Sequence, residues 1–164
     1  MLELKTPLAG ASFESEGISL RESPDFTLTL YAGSSVSLKR EVGALPDFGT
    51  AHKEGKHTFF RAGPDQVLVL GEEIDTRLCA ATPLSSARCR IEISGTKART
   101  LLVACAAVDF SSNAFGTHAM ALTGIHHMPV MIHALPDGKF HIYGLRTYAA
   151  SLWEWLVDAT TGLG

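Results

Sequence analysis

Phe140-His141-Ile142-Tyr143-Gly144-Leu145-Arg146-Thr147-Tyr148-Ala149-Ala150-Ser151-Leu152-Trp153-Glu154-Trp155-Leu156 holds two periodicities in succession. Phe140 and Ile142 alternate with His141 and Tyr143, which predicts a half-buried strand. From Leu145 the period changes. Leu145, Tyr148, Ala149, Leu152, Trp155, Leu156 and Ala159 recur at three- and four-residue steps, the spacing of one helical stripe. A strand therefore runs into a helix with scarcely a loop between them.

The helix carries more apolar surface than that stripe. At about 100° per residue, Ala150, Trp153 and Val157 fall on a flanking strip beside Arg146. The polar face narrows to Thr147, Ser151, Glu154 and Asp158. Either another part of the chain covers Trp153 or a second protein does. The reading taken is the second, with Arg146, Ala150, Trp153 and Val157 as a partner interface.

Working outward, the segments before this one repeat a plan. Arg90–Ser94 alternates as a strand, Gly95-Thr96 opens a helix with Ala98, Leu101, Leu102 and Cys105 inward, and Asp109-Phe110 closes it. His118–Thr123 and Val130–Ala134 read as strands, and Pro136-Asp137-Gly138 turns the chain into Phe140–Tyr143. The first half reads likewise. Ile18–Glu22 and Phe26–Tyr31 are strands, Gly33-Ser34-Ser35 caps a short helix carrying Val36, Leu38 and Val42, and Pro46–Gly49 ends it. His57–Phe60 and Gln66–Leu70 follow as strands about the turn Ala62–Asp65, and Gly71–Ala81 is either a helix or an irregular crossover. Phe48-Gly49-Thr50-Ala51-His52 matches Phe115-Gly116-Thr117-His118-Ala119 at corresponding places. The expected fold is α+β: two similar strand–helix–strand–strand units, about 17–80 and 88–160, forming antiparallel sheets with helices packed on them. The whole, 1–164, is expected to be one domain, with 1–16 a lead-in arm ordered only where something holds it.

Composition narrows the function. Hydrophobic residues make up 46% of the 164 and charged ones 19%, which allows a real core and excludes a disordered chain. The net charge of −3 without a basic run excludes a nucleic-acid partner. Cys79, Cys89 and Cys105 are odd in number and lack CxxC spacing, so reduced thiols in a cytoplasmic protein are expected. Met1–Pro7, broken by charge and proline, does not read as a signal peptide, and no apolar run approaches the roughly twenty residues of a membrane span. A soluble protein is the expectation.

Motifs that would carry chemistry are sparse. Adjacent His126 and His127 diverge if they lie on a strand, and His118, His133 and His141 come without a paired Cys or carboxylate signature, so surface or hydrogen-bonded histidines are expected rather than a metal site. Ser85-Ser86 and Ser111-Ser112 lack a nucleophile elbow. Cys89, between Arg88 and Arg90, reads as a buried thiol whose neighbours point to the opposite face of a strand. No Gly-x-Gly-x-x-Gly fingerprint is present. No catalytic, cofactor-binding or metal residue is assigned to this chain. Asp109, Glu92 and Arg146 are the candidates for holding a folate, should the chain bind one alone.

Ala62–Leu70, Thr82–Arg88, Ile91–Leu102 and above all the ending Arg146–Leu156 resemble the gamma subunit of heterotetrameric sarcosine oxidase, over about residues 60 to 160. Two departures stand out: Ala104-Cys105-Ala106-Ala107-Val108-Asp109 replaces a Gly-Cys-Pro-Leu-Asp-like segment, and Ala134 replaces an arginine after His133. A related amine oxidase or N-methyl amino acid dehydrogenase therefore stays open as the assembled enzyme. The resemblance implies the fold of the folate-binding half of the glycine-cleavage T-protein and a non-catalytic accessory role beside alpha, beta and delta subunits. It places FAD, FMN, NAD and tetrahydrofolate in those partners. The complex would demethylate sarcosine to glycine, forming methylenetetrahydrofolate and hydrogen peroxide. A stand-alone folate-binding or aminomethyltransferase-like protein is the alternative.

Overall fold

The structure, a computed structural model, describes residues 5–163. Along these the chain forms β1 (Ser12–Ser15), β2 (Ile18–Glu22), β3 (Leu28–Ala32), a short helix α1 (Ser35–Ser37) continued by the wide turn Leu38–Val42, β4 (Ala51–Glu54), β5 (His57–Gly63), β6 (Gln66–Leu70) and β7 (Ala80–Pro83). Then come β8 (Arg88–Ser94), α2 (Ala98–Cys105), β9 (Met120–Ile125), β10 (Met128–Ala134), β11 (Phe140–Leu145) and, after the tight turn Arg146–Tyr148, α3 (Ala149–Thr161). One sheet has the order β1-β2-β8-β11-β10-β9 and the other β4-β5-β6-β3-β7, with all pairs antiparallel. The fold is α+β.

The alternation of β11 is real, but neither of its faces is open to water. Phe140 and Ile142 join Ile91, Ile93, Val130 and Ile132 under α2 and α3. Tyr143, on the opposite face, packs with Leu28, Phe60, Leu68 and Met131 between the two sheets. A third cluster, Tyr31, Leu38, Val42, Phe59, Val67 and Val69, sits between the second sheet and α1. Four layers result, helix on sheet on sheet on helix. The polar-looking positions His141 and Tyr143 are thus covered by the second sheet, where the pattern alone predicts solvent.

The two units share one spatial plan. β3, α1, β4, β5 and β6 give the order β3-β6-β5-β4, and β8, α2, β9, β10 and β11 give β8-β11-β10-β9. Each unit has three strands after its helix, one more than the expected plan. Each also exchanges a strand with the other: β2 runs on into β3 yet pairs with β8, and β7 runs on into β8 yet pairs with β3. The matched stretches 48–52 and 115–119 meet directly, with Ala51 N donating to His118 O (2.7 Å) and Met120 N to Gly49 O (2.9 Å). The second sheet is tied to the first by backbone as well as by apolar contact.

Several local expectations need correction. Ser12–Ser15 is an edge strand rather than arm, and Glu22 holds what precedes it, accepting from Thr6 Oγ1 (2.8 Å), Leu8 N (3.0 Å) and Gly10 N (2.6 Å). Residues 1–4 of the lead-in lie outside the described residues. The Ser34 hydroxyl caps α1 by accepting from Ser37 N, but Thr96 does not cap α2, which starts at Ala98 after an uncapped Lys97. Gly43, at φ 100°, ends the first helical turns before Pro46 is reached. Gly71–Ala81 is an irregular crossover with β7 at its end.

The stripe of α3 is narrower than its spacing suggested. Ala149, Leu152, Leu156 and Thr160 are buried, whereas Trp155 is 39% and Tyr148 45% exposed. Trp155 lies about 100° from the centre of that set, too far round to reach the sheet. Its ring is covered instead by His126, stacked at 3.8 Å and 12°. His126 and His127 form the two-residue turn between β9 and β10, both at positive φ (45° and 67°), the backbone of a primed turn usually given to Asn-Gly.

Close approach explains two glycines. Gly144 on β11 faces Leu152 of α3, and a side-chain carbon there would stand 2.7 Å from Leu152 Cδ2. Gly95, at φ 109°, ends β8 where the β1–β2 turn passes; a side chain would run into the Gly17 carbonyl, which accepts from Lys97 N at 2.9 Å. Gly95→Ala should lower unfolding free energy in urea titrations by about 2–4 kcal/mol. Gly138→Ala, also at positive φ (69°) but facing open space, should cost only about 1 kcal/mol. Equal losses would contradict the role assigned to the Gly17–Gly95 crossing.

Candidate functional site

Register arranges the inter-sheet face of the first sheet in three rows. Glu92, His141, His133 and Met120 are directly opposed across β8, β11, β10 and β9; next come Arg90, Tyr143, Met131 and Leu122; then Arg88, Leu145, Pro129 and Gly124. This follows from alternation on β8, where Cys89, Ile91 and Ile93 turn to the helices and Arg88, Arg90 and Glu92 to the other side. The polar side chains of β10 and β11 on this face therefore meet the second sheet, and Arg88 a cleft beside it, while Arg21, opposite Glu92 on β2, stays at the surface.

The first row is a buried histidine cluster. His133 is 3% exposed, touches the edge of Phe60 at a centroid distance of 4.9 Å, and has no hydrogen bond at either ring nitrogen among the described residues. His118, at positive φ, stacks 6.2 Å away. Burial pushes His133 down to about 4, with the charges of His141 and His118 acting the same way. His141 falls to about 4 through burial and then the Arg90 guanidinium, against the opposing pull of Glu92. Its Nε2 lies 3.5 Å from Glu92 Oε2; at neutral pH this joins a neutral imidazole to a carboxylate and is not an ion pair. Burial works to raise the Glu92 carboxyl, but the hydrogen bond from Arg21 (2.9 Å) and the nearby charges hold it below the usual range.

The other rows frame a cleft of about 400 Å³ lined by Leu28, Leu68, Arg88, Leu122, Met131 and Tyr143, among others. The Tyr143 hydroxyl is buried and makes no hydrogen bond of ordinary geometry among the described residues. Burial raises its pKa, with Arg90 pulling the other way. His133, His141 and Tyr143 are held neutral at neutral pH.

The sequence-derived candidates lie apart. Arg146 is exposed and donates to Lys5 O (2.7 Å); Ala150 is exposed; Trp153 and Val157 are half-buried against the core beneath the helices. Asp109 is exposed, its carboxyl lowered mainly by the hydrogen bond from Ser111 N (2.9 Å). No hydrogen bond or ion pair among the described residues joins any two of Asp109, Glu92 and Arg146. The three cysteines are free; burial raises Cys79 and Cys89 and takes Cys105 to about 11. Arg88 and Arg90 do point away from Cys89. Among the described residues no group of three or more His, Cys, Asp or Glu could hold a metal ion. The cleft at Arg88 and Tyr143 is absent from the sequence reading. The charged alternation Arg88, Arg90, Glu92 opposite an apolar one reads as a solvent face, so local spacing gave no signal for it.

No family model matches the sequence, and no curated protein matches it. Solved structures share the fold. A chain of the heterotetrameric sarcosine oxidase from Corynebacterium sp. U-96, in complex with pyrrole 2-carboxylate, superposes with a TM-score of 0.84 at 20% identity, covering 96% of this chain and 94% of that one. The glycine cleavage system aminomethyltransferase T from Bartonella henselae gives 0.62 at 12% identity, over 87% of this chain and 46% of that one. The chain thus spans about half the length of the aminomethyltransferase. At such identities the likeness is one of fold.

The depressed histidines make stability depend on pH. Their folded pKa of about 4 lies below the ordinary 6.5, so the unfolded chain takes up protons first. The stability tied to neutral rings is complete above pH 6.5, erodes as pH falls, and is lost by about pH 4. For His133 this amounts to about 2 kcal/mol between pH 7 and pH 5. His133→Leu should flatten the slope of urea-derived stability against pH by about that amount over this window, which lies above most carboxylate titration. An unchanged slope would mean the ring reaches water.

Proposed function

We propose that this chain is a non-catalytic accessory subunit of a multi-subunit oxidoreductase of the heterotetrameric sarcosine oxidase type. One observation carries the reading: the fold match to a chain of such an enzyme is end to end on both sides, 96% and 94%, so this chain has the size and shape of a whole member of that assembly. The inner face adds support, since His133, His141 and Tyr143 are neutral and Glu92 is paired with Arg21. In this reading FAD, FMN, NAD and tetrahydrofolate belong to alpha, beta and delta partners, and the complex demethylates sarcosine to glycine, forming methylenetetrahydrofolate and hydrogen peroxide. A cytoplasmic setting belongs to the same proposal; no helix among the described residues is long and apolar enough to cross a membrane.

The contact we assign is the outer side of α3. Trp153 and Val157 are only half covered by their own chain, Ala150 is bare, and Arg146 stands exposed at the head of the helix. Trp155 with its stacked His126 lies on the opposite flank of the helix, across the polar face, and is not part of this surface. Aromatic side chains flanked by small ones and an arginine are the composition of interface anchors.

The likeness to the aminomethyltransferase supports a second reading, a stand-alone folate-binding or aminomethyl-transfer protein. It is the weaker one, because less than half of that enzyme is represented and Asp109, Glu92 and Arg146 stand apart.

Co-expression with alpha, beta and delta subunits of such a complex should yield one assembly containing this chain, while the chain alone should neither bind flavin nor oxidise sarcosine. Ala150→Arg should leave the melting temperature of the isolated chain unchanged and weaken assembly about tenfold or more in size-exclusion titrations. Micromolar tetrahydrofolate binding to the isolated chain by calorimetry, together with failure to assemble, would replace this reading with the second.

A further inference from the structure

Among the described residues Arg88 is the only charged one lining the 400 Å³ cleft between the sheets, and its side chain forms no hydrogen bond or ion pair with any of them. Half-buried, it keeps its charge against burial, which lowers its pKa. A cation taken partly out of water with no counter-charge costs free energy that an incoming anion would recover. The Tyr143 side chain, 2% exposed, lines the same cleft, and its hydroxyl makes no hydrogen bond of ordinary geometry among the described residues. Around them the walls are aliphatic: Leu28, Leu68, Leu122 and Met131. The cleft is in the size range of small organic ligands, and it opens to solvent past Leu122, which is 53% exposed.

The charge on the far side of Arg88 has the same sign. A second cleft, about 220 Å³, shares Arg88 and is lined also by Lys5, Arg90 and Arg146. Its one acidic residue, Glu22, is engaged by Thr6, Leu8 and Gly10. Arg90 is spent on Ser23 and Asp25 backbone oxygens and on the ring of Phe26, so it contributes field rather than a free donor. Arg88 stays the unspent fork.

We propose that this cleft binds a small amphipathic organic anion, its apolar body between Leu28, Leu68, Leu122 and Met131 and its carboxylate or sulfonate on the Arg88 guanidinium. The site is independent of the role in a complex proposed above, because every residue in it belongs to this chain. Planar, two-toothed pairing of an arginine with a carboxylate supplies the orientation, and exclusion of water by the aliphatic walls strengthens it.

The test uses the full chain and the fluorescent anion 8-anilinonaphthalene-1-sulfonate. One equivalent should bind saturably at a pH where the fold is fully formed, with octanoate displacing it and octanol, the same body without the charge, displacing it at least about tenfold less well. Arg88→Met, which keeps the aliphatic stem, should weaken the probe about tenfold or more with unchanged far-ultraviolet dichroism, and Arg88→Lys should recover part of the loss. Leu122→Trp, filling the mouth from an exposed position, should block binding even if the Arg88 variants fold poorly. Absence of a saturable site, equal displacement by octanol and octanoate, or a Leu122→Trp protein that binds as well as wild type would each overturn the proposal.

Discussion

Closure of the second sheet over the inner face of the first is the constraint on which the rest of the structure depends. A sheet covered by helices on one side and by another sheet on the other has nowhere to put a hydrated side chain. Burial of Tyr143, Phe60, Leu28, Leu68 and Met131 between the sheets gains the free energy of removing large apolar surface from water. The same closure leaves two histidines uncharged and a phenol without a hydrogen bond. Neutral histidine is a tolerable occupant of such a layer, because its ring packs edge-on against Phe60 much as another aromatic would.

Topology makes the closure cooperative. β2 and β7 each leave their own unit to pair in the opposite sheet, and residues 49–51 bond to 118–120 where the units meet. Neither unit can complete its sheet without the other. Gly95 and Gly17 mark one crossing point, where only a residue without a side chain lets the turn and the strand end approach. Beside the closed core lies a cleft lined by Leu28 and Leu68 of the second sheet and by Arg88, Met131 and Tyr143 of the first.

Local periodicity gave the strands of the second half to within about two residues, because Phe140, Ile142, Ile91, Ile93 and Val130 alternate plainly toward the helices, while α2 ends at Cys105, short of Asp109-Phe110. It could not give the layer count. His141 and Tyr143 look like a solvent face, and only the long-range pairing of β3, β5 and β6 covers them. Trp155 and Trp153 changed places relative to the core, since at a three- or four-residue step a tryptophan on either flank satisfies the same pattern. Ser12–Ser15, rich in small and charged residues, became a strand through its pairing with β2 and through Glu22, neither of which is a local signal. Among the site residues, Arg146 and Ala150 were placed at the surface by helical phase alone. The cleft at Arg88 needed the register between β8, β11 and β10, which sequence spacing does not carry.

The proposed accessory role rests on the end-to-end fold match, with the partly covered Trp153 and the buried, neutral His133 and His141 as its support within the chain. The most direct measurement is native mass spectrometry of the complex isolated from its own cells through a tag on this chain. The account predicts one copy of the chain bound to larger, flavin-carrying polypeptides, with all of the flavin leaving with those partners when the assembly is dissociated. A chain recovered alone, or one that retains flavin or folate after dissociation, would contradict it.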